Sequence, residues 1–211
     1  MAYEKNGDQA MKLGLKKCWL VLATVCLAGC VAFPQHEVAN QPAVAQRGQS
    51  DLAYVDLHVF HGVPGKATAD DLAYGAMMGL ALQAFHDSGR FGLVSFSEAD
   101  RAKANEQYRL SLYSNTPRTW PIVTGILCAF SYDLIPFYAS QHYTVVLERI
   151  DAQSHQTLTH VENTDTIHHY FGWLTVPAWI MGKSTSVAQV DTLENQIRSA
   201  IATLPDRTDD Q

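Results

Sequence analysis

A short apolar run near the start divides this chain into an export segment and a segment that folds. Residues 18–27 follow the basic stretch 11–17 and precede the small residues 28–29. A basic start, a short apolar centre and a small-residue cleavage site are the three parts of a secretory signal peptide. The run is too short to span a bilayer, which takes roughly 20 apolar residues. We therefore expect residues 1–29 to be removed, leaving residues 30–211 as the mature protein.

The tetrapeptide Leu27-Ala28-Gly29-Cys30 resembles the lipobox of bacterial lipoproteins. The resemblance implies signal cleavage between Gly29 and Cys30, lipidation of the Cys30 thiol by acyl chains such as palmitate, and attachment to a membrane. Val31, and not aspartate, follows the cysteine. The resemblance then implies the periplasmic face of the outer membrane, with the inner membrane as the alternative. The residues before Met11 are polar and unlike a signal, so Met11 is a candidate for the true start.

The charge of the mature chain excludes one class of partner. Removing the four lysines and two acidic residues of positions 1–29 leaves 11 basic and 19 acidic residues, a net charge of −8 with His neutral. Nucleic acid is not expected as a partner, because its phosphates require a positive surface. Attachment to anionic lipid must then depend on the acyl chains. Cys128 is the only thiol left after processing, so we expect an inert buried cysteine and no internal disulfide.

The first part of the mature chain is predicted to be a tether, a strand and a helix. Residues 30–50 are rich in Ala, Gln, Pro and Asn, which is typical of a flexible linker. Residues 51–61 alternate between apolar and polar side chains, which predicts a half-buried strand. Thr68 resembles the start of a capping box with Asp71, and an apolar helix running to about residue 87 should be largely buried.

The remaining pattern predicts a single α+β domain over residues 51–205. Strands are predicted at 91–96, 106–114, 143–150 and 157–168, the last two joined as a hairpin across residues 151–154. Residues 97–105 are predicted to form a turn or a short helix. A helix with apolar residues along one face is predicted to end the domain. Gly75 and Gly79 indicate close helix–sheet packing. The expected fold is a sandwich of a mainly antiparallel sheet, two main helices and two apolar inserts, followed by a disordered tail at 206–211.

The two inserts, residues 120–139 and 170–181, are the most unusual part of the sequence, because they carry a single charge, Asp133. The predicted hairpin brings their junctions to the same end of the sheet. Three interpretations are open: a cover over the core, an exposed surface for a partner or for the bilayer interface, and a transmembrane helix through the first insert. The candidate patch residues are Trp120, Ile122, Phe130, Phe137, Tyr138, Phe171, Trp173 and Trp179.

No catalytic or metal motif stands out. His58 and His61 should point to opposite faces of a strand, and the best remaining group is His142 and His168 with Asp165; no zinc spacing is present. We therefore expect no enzyme, no metal and no cofactor. The leading hypothesis is an envelope lipoprotein, an accessory or assembly subunit that docks an unidentified protein partner through the apolar patch. Alternatives are a carrier of lipid or another apolar ligand and, with least support, a hydrolase.

Overall fold

The computed structural model describes residues 30–41, 52–115, 126, 137–171 and 182–205. The strands within these ranges are β1 Cys30–Pro34, β2 Leu52–His61, β3 Thr68–Ala69, β4 Leu93–Ser95, β5 Glu106–Asn115, β6 Phe137–Ile150 and β7 Thr157–Phe171. They form a seven-stranded sheet in the order β1-β7-β6-β5-β2-β3, with β4 paired to β2. The pairs β1–β7, β7–β6, β6–β5 and β2–β3 are antiparallel, whereas β2–β4 and β2–β5 are parallel. The expected α+β sandwich with a mainly antiparallel sheet is confirmed.

Two long helices cover one face of the sheet. These are α1, Asp71–Asp87, and α3, Thr185–Thr203, while α2, Glu98–Arg101, is a single short turn. The covered face is apolar because every second residue of the central strands is Val, Leu or Tyr, and these side chains enclose the core with the helices. At least nine-tenths of each of the following core residues is buried: Val55, Leu57, Tyr108, Leu110, Tyr143, Val145, Leu147, Phe85, Leu193, Ile197 and Ile201.

The two helices end at the same side of the domain, where an arginine joins them. Arg90, in the loop after α1, donates from Nη1 to the carbonyls of Ile201 and Leu204 at 3.3 and 2.9 Å. Its Nη2 donates to Pro205 at 2.6 Å. The last carbonyls of a helix have no partner within the helix and carry partial negative charge, so a guanidinium stabilises that end. The N-terminal ends of α1 and α3 therefore lie towards the opposite end of the sheet.

The prediction of a flexible tether is wrong for residues 30–41. Residues 30–34 form β1, which pairs with the last five residues of β7, and the bridge from Ala32 to Lys183 covers its outer edge. The following residues are bound to the domain as well: the Gln35 amide donates to the Thr166 carbonyl at 2.8 Å. Satisfied backbone bonds fix this segment although its composition has no hydrophobic period.

A buried asparagine on α3 holds the end of the same segment. The Asn195 Nδ2 donates to the carbonyls of Val38 and Ala39 at 3.2 and 3.3 Å, and its Oδ1 accepts the Gln41 amide at 2.8 Å. Only 4% of Asn195 is exposed, so an apolar environment would penalise its amide without these partners. We call residues 35–41 the strap. Residues 42–50, the rest of the predicted tether, lie outside the described residues.

Helix α1 begins and ends close to its predicted bounds, but its burial differs from the prediction. Asp70 caps it by accepting the Ala73 amide, whereas Thr68 belongs to β3. Its fully buried residues, Ala81, Ala84 and Phe85, all lie in its C-terminal half, whereas Leu72 in its first turn is 99% exposed. Among the described residues, no atom outside the helix lies within 4 Å of a Cβ placed on Gly75 or Gly79, so these glycines make no close contact with the described sheet. Apolar residues around the whole helix did not reveal which half the sheet would cover.

Helix α3 begins near the position that the sequence predicts, whereas strand β6 begins earlier. Strand β6 begins at residue 137, six residues before its predicted start, and α3 begins at residue 185 with Ser184 as its N-cap. No helix in the described ranges is both long and apolar enough to cross a membrane. Outside the described residues lie the signal 1–29, Cys128, Asp133 and the tail 206–211.

Gly79 has open space beside it, and the direction in which an alanine there changes the free energy of unfolding tests this finding. Gly79→Ala should raise the free energy of unfolding by about 0.5–1 kcal/mol, because alanine restricts the unfolded chain and meets no neighbour in the helix. Close helix–sheet packing would instead make this substitution destabilising. Urea unfolding followed by circular dichroism measures the difference.

Gly62→Ala is the matched control for that measurement. Gly62 has a φ of +121°, and a Cβ there would lie 3.0 Å from the Ala67 Cα. This substitution should lower the free energy of unfolding by about 1–3 kcal/mol, because an L side chain is strained in that conformation. A destabilised Gly79→Ala variant would contradict the exposure of this side of α1.

Candidate functional site beside Cys30

Strands β1, β7 and β6 come together at one end of the sheet. Among the described residues, the pairing of β5 with β6 runs as far as Asn115 with His142, and residues 137–141 of β6 come before this pair in the chain. These residues pair with the end of β7, which pairs on its other side with β1. Cys30, Phe171 and Phe137 therefore stand in one row across the three strands. This row contains the proposed acylation position, one residue of the second insert (Phe171) and one residue of the first insert (Phe137).

Four ring side chains cluster on the face of this end that the helices do not cover. We call Phe33, Tyr138, His168 and Tyr170 the aromatic cluster. The Tyr138 and Tyr170 ring centroids are 5.2 Å apart, and Phe33 meets Tyr170 edge-on at 5.8 Å. Tyr138 stacks on His168 at 5.5 Å. Each such pair contributes about 0.5–1.5 kcal/mol beyond its buried area, so the cluster braces the three strands against one another.

A hydrogen-bond chain fixes the orientation of the histidine in the cluster. His168 Nε2 lies 3.2 Å from Gln35 Oε1, which can only accept, so this nitrogen donates. His168 Nδ1 lies 2.7 Å from the Tyr138 hydroxyl, so both ring nitrogens are hydrogen-bonded. The strap, β7 and β6 are thereby linked through one imidazole. All four cluster side chains remain partly exposed to solvent.

The far half of the same open face is charged. Asp56, Arg109, Glu148 and His160 stand in register on four adjacent strands. Arg109 lies 3.9 Å from Asp56 and 3.4 Å from Glu148, and His160 lies 3.7 Å from Glu148. These pairs are solvent-exposed, and each such pair contributes roughly 0–1 kcal/mol. The open face therefore has an aromatic end beside Cys30 and a charged end away from it.

The histidine group considered from the sequence does not form a metal site. His142 and His168 share the open face, but Asp165 points to the helix-covered face and is 1% exposed. Asp165 accepts the amides of Glu37 and Thr166 at 3.3 and 2.7 Å, which is a structural role. In the described part of the chain, no group of three or more His, Cys, Asp or Glu residues is arranged to hold a metal ion.

Of the three described tyrosines whose pKa is strongly raised, two lie in the core. Burial and a hydrogen bond from its hydroxyl to Glu98 raise the pKa of the third, Tyr54, to about 12. Burial raises the pKa of the Tyr143 hydroxyl well above its usual range. Burial, together with the Glu106 carboxylate, does the same to the pKa of Tyr108. Both rings lie in the core cluster under the helices, so these hydroxyls stay neutral and have no access to a substrate.

The structure assigns positions to only some of the residues proposed from the sequence. The hairpin register confirms that the junctions of the two inserts meet, with Phe137 opposite Phe171, and Tyr138 lies in the aromatic cluster. Five patch residues lie outside the described residues: Trp120, Ile122, Phe130, Trp173 and Trp179.

Sequence reasoning missed two members of the aromatic cluster as site residues. Phe33 falls within the predicted tether, and Tyr170 is only the first residue of a predicted insert. Residues 31–33 do alternate, with Val31 and Phe33 on one face. A run this short is too brief to distinguish a strand from a linker.

Comparison with known proteins adds little to the geometry. No family model and no curated protein matches the chain. Similar solved structures include the PelC dodecamer from Paraburkholderia phytofirmans, with 13% identity, a TM-score of 0.35, and coverage of 83% of this chain and 97% of that one. A homologue of the neuraminyllactose-binding hemagglutinin from Helicobacter pylori has 8% identity, a TM-score of 0.36 and coverages of 79% and 86%.

Protein XCC0632 from Xanthomonas campestris has 15% identity, a TM-score of 0.30 and coverages of 81% and 88%. None of these three proteins is described as an enzyme, and all three come from bacteria. At these TM-scores the likeness is too weak to carry an argument about this chain.

A buried histidine behind the aromatic cluster should make this end of the sheet sensitive to acid. His169 is 5% exposed, between Ala32 and Ala139, and burial, with a smaller effect of His168, lowers its pKa below the usual 6.5. A folded-state pKa below the unfolded value gives stability that is complete above about pH 6.5 and declines as the pH falls further. His169→Asn should therefore reduce the loss of stability between pH 7 and pH 5.

Urea unfolding at several pH values measures that slope. Ala139→Gly is the control, because it weakens the same row without removing a titrating group. The difference in the free energy of unfolding between wild type and Ala139→Gly should be the same at every pH. Equal slopes for wild type and His169→Asn would contradict the assignment of acid sensitivity to this histidine.

Proposed function

We propose that this protein is a non-enzymatic lipoprotein of the bacterial envelope, an accessory or assembly subunit attached through acyl chains on Cys30. It contacts another envelope component through the apolar surface at the Cys30 end of the sheet. The attachment is to the periplasmic face of the outer membrane. The observation that carries the proposal is the row Cys30–Phe171–Phe137, which places the lipobox cysteine at the same sheet end as both apolar inserts.

The geometry of the described residues supports a binding role over a catalytic one. Two of the buried tyrosines with raised pKa values lie in the core, and the third, Tyr54, donates its hydroxyl proton to Glu98. The charged residues in the middle of the open face are paired with one another. A catalytic site requires a nucleophile or base in a cleft, oriented by a third group. The aromatic cluster instead presents partly exposed rings on a rigid sheet, which is typical of a contact surface.

The anchor itself can be tested by a single substitution. Cys30→Ser should abolish acylation, because a hydroxyl cannot replace the thiol that receives the lipid. The variant should lose the mass of the acyl chains and move from the membrane fraction to the soluble periplasmic fraction. Intact-mass spectrometry and cell fractionation measure the two effects.

Cys128→Ser is the matched control for a general effect of losing a thiol. It should retain both the acyl mass and the membrane fraction. If Cys30→Ser keeps a wild-type mass shift, or if the wild type carries none, the proposed anchor is wrong.

A further inference from the structure

The Cys30 end of the sheet has a charge distribution unlike that of the whole protein. It consists of residues 30–36, 137–142 and 167–171, and none of these is Asp or Glu, although the sequence has six more acidic than basic residues. The nearest acidic neighbour in β7, Asp165, is buried on the helix-covered face. The exposed acidic residues of the hairpin, such as Glu148 and Glu162, lie further along the strands. Glu37, the next residue of the strap, is an exposed acidic neighbour that accepts a hydrogen bond from Thr166. This end therefore meets less like-charge repulsion from an anionic surface than the acidic remainder of the protein would.

The distance between the anchor and the sheet is close to zero. Val31 is already paired with Tyr170 and is 1% exposed, so no linker separates Cys30 from the folded domain. Tyr138 and Tyr170 are one row from Cys30, and Phe33 is three residues along β1, roughly 10 Å away at a strand's rise. Glu148 is ten residues beyond Tyr138, or roughly 33 Å.

A lipid on Cys30 must then bring the sheet end to the bilayer. Acyl chains enter the hydrocarbon, and the polar layer above it is roughly 5–8 Å thick on each side. A domain whose first residue is the anchor and whose second is buried in the sheet has no chain with which to stand away from that layer. Tyrosine and other amphipathic rings are favoured at this depth, where the ring is dehydrated and the hydroxyl stays polar.

We infer that the end of the sheet carrying the aromatic cluster is a membrane-contact surface, and that its occupant is the phospholipid headgroup layer of the leaflet that holds the Cys30 acyl chains. This inference rests on the acylation of Cys30 proposed above and names the component that the same surface contacts. The domain is thereby held in one orientation, with the charged end of the open face directed away from the membrane and available to soluble or membrane-bound partners.

Photocrosslinking from defined positions tests this orientation. The full chain with its signal is expressed with benzoylphenylalanine at Tyr138, Tyr170 or Phe33, purified, and placed in vesicles of phosphatidylethanolamine and phosphatidylglycerol. Leu158 is the matched control, because it lies on the same strand as Tyr170, is 55% exposed, and is twelve residues away, roughly 40 Å. Adducts are identified by intact mass after irradiation.

Phospholipid adducts should be several-fold more abundant at the three cluster positions than at Leu158. Similar lipid labelling at Leu158 would overturn the orientation, and protein adducts or no adducts at the cluster would overturn membrane contact. Thermal melts of each variant exclude misfolding, and three separate positions keep the test valid if one variant fails to fold. The acyl mass is read from the same spectra, so a missing anchor is distinguished from an acylated protein whose cluster does not touch lipid.

Discussion

The pairing of β1 with β7 is the interaction on which the rest of the account depends. It places Cys30 in register with Phe171, and so brings the candidate acylation site to the end of a sheet. Backbone hydrogen bonds contribute modestly one by one, but leaving their groups buried and unpaired would cost more. The strap adds side-chain anchors, since Asn195 binds three backbone groups of residues 38–41. The start of the described chain is thus an integral part of the domain.

The two faces of the sheet have different roles. The covered face supplies the core through Val, Leu and Tyr residues that meet the C-terminal half of α1 and the length of α3. The open face carries aromatic rings at the Cys30 end and a row of paired charges at the other. Burial drives the first arrangement. On the open face the aromatic pairs brace three strands, whereas the exposed ion pairs contribute little to stability.

Local patterns predicted most of the fold, and long-range polar contacts account for what they missed. Alternation over ten residues was enough to predict β2 and β5, and Asp151 with its neighbours marked the hairpin turn. The five residues of β1 form too short a pattern to predict a strand. Lys183 pairs with β1 and Asn195 holds the strap, and each lies more than 140 residues from the segment that it contacts. Likewise, the apolar circumference of α1 did not show that Leu72 would be exposed. The resemblance to a lipobox predicts Cys30 as the anchor, but only the strand register relates this residue to Tyr138 and Phe33.

The most direct test of the account is amide hydrogen exchange by NMR on the acylated protein in detergent micelles. The Ala32, Gln35 and Gln41 amides donate to Lys183, Thr166 and Asn195 at 3.0, 2.8 and 2.8 Å. They should exchange as slowly as amides in the body of the domain, because they open only with β1 or the strap. Exchange at the rate of an unfolded chain would mean that residues 30–41 are a free linker after acylation, and the anchor would no longer fix the aromatic cluster at the membrane.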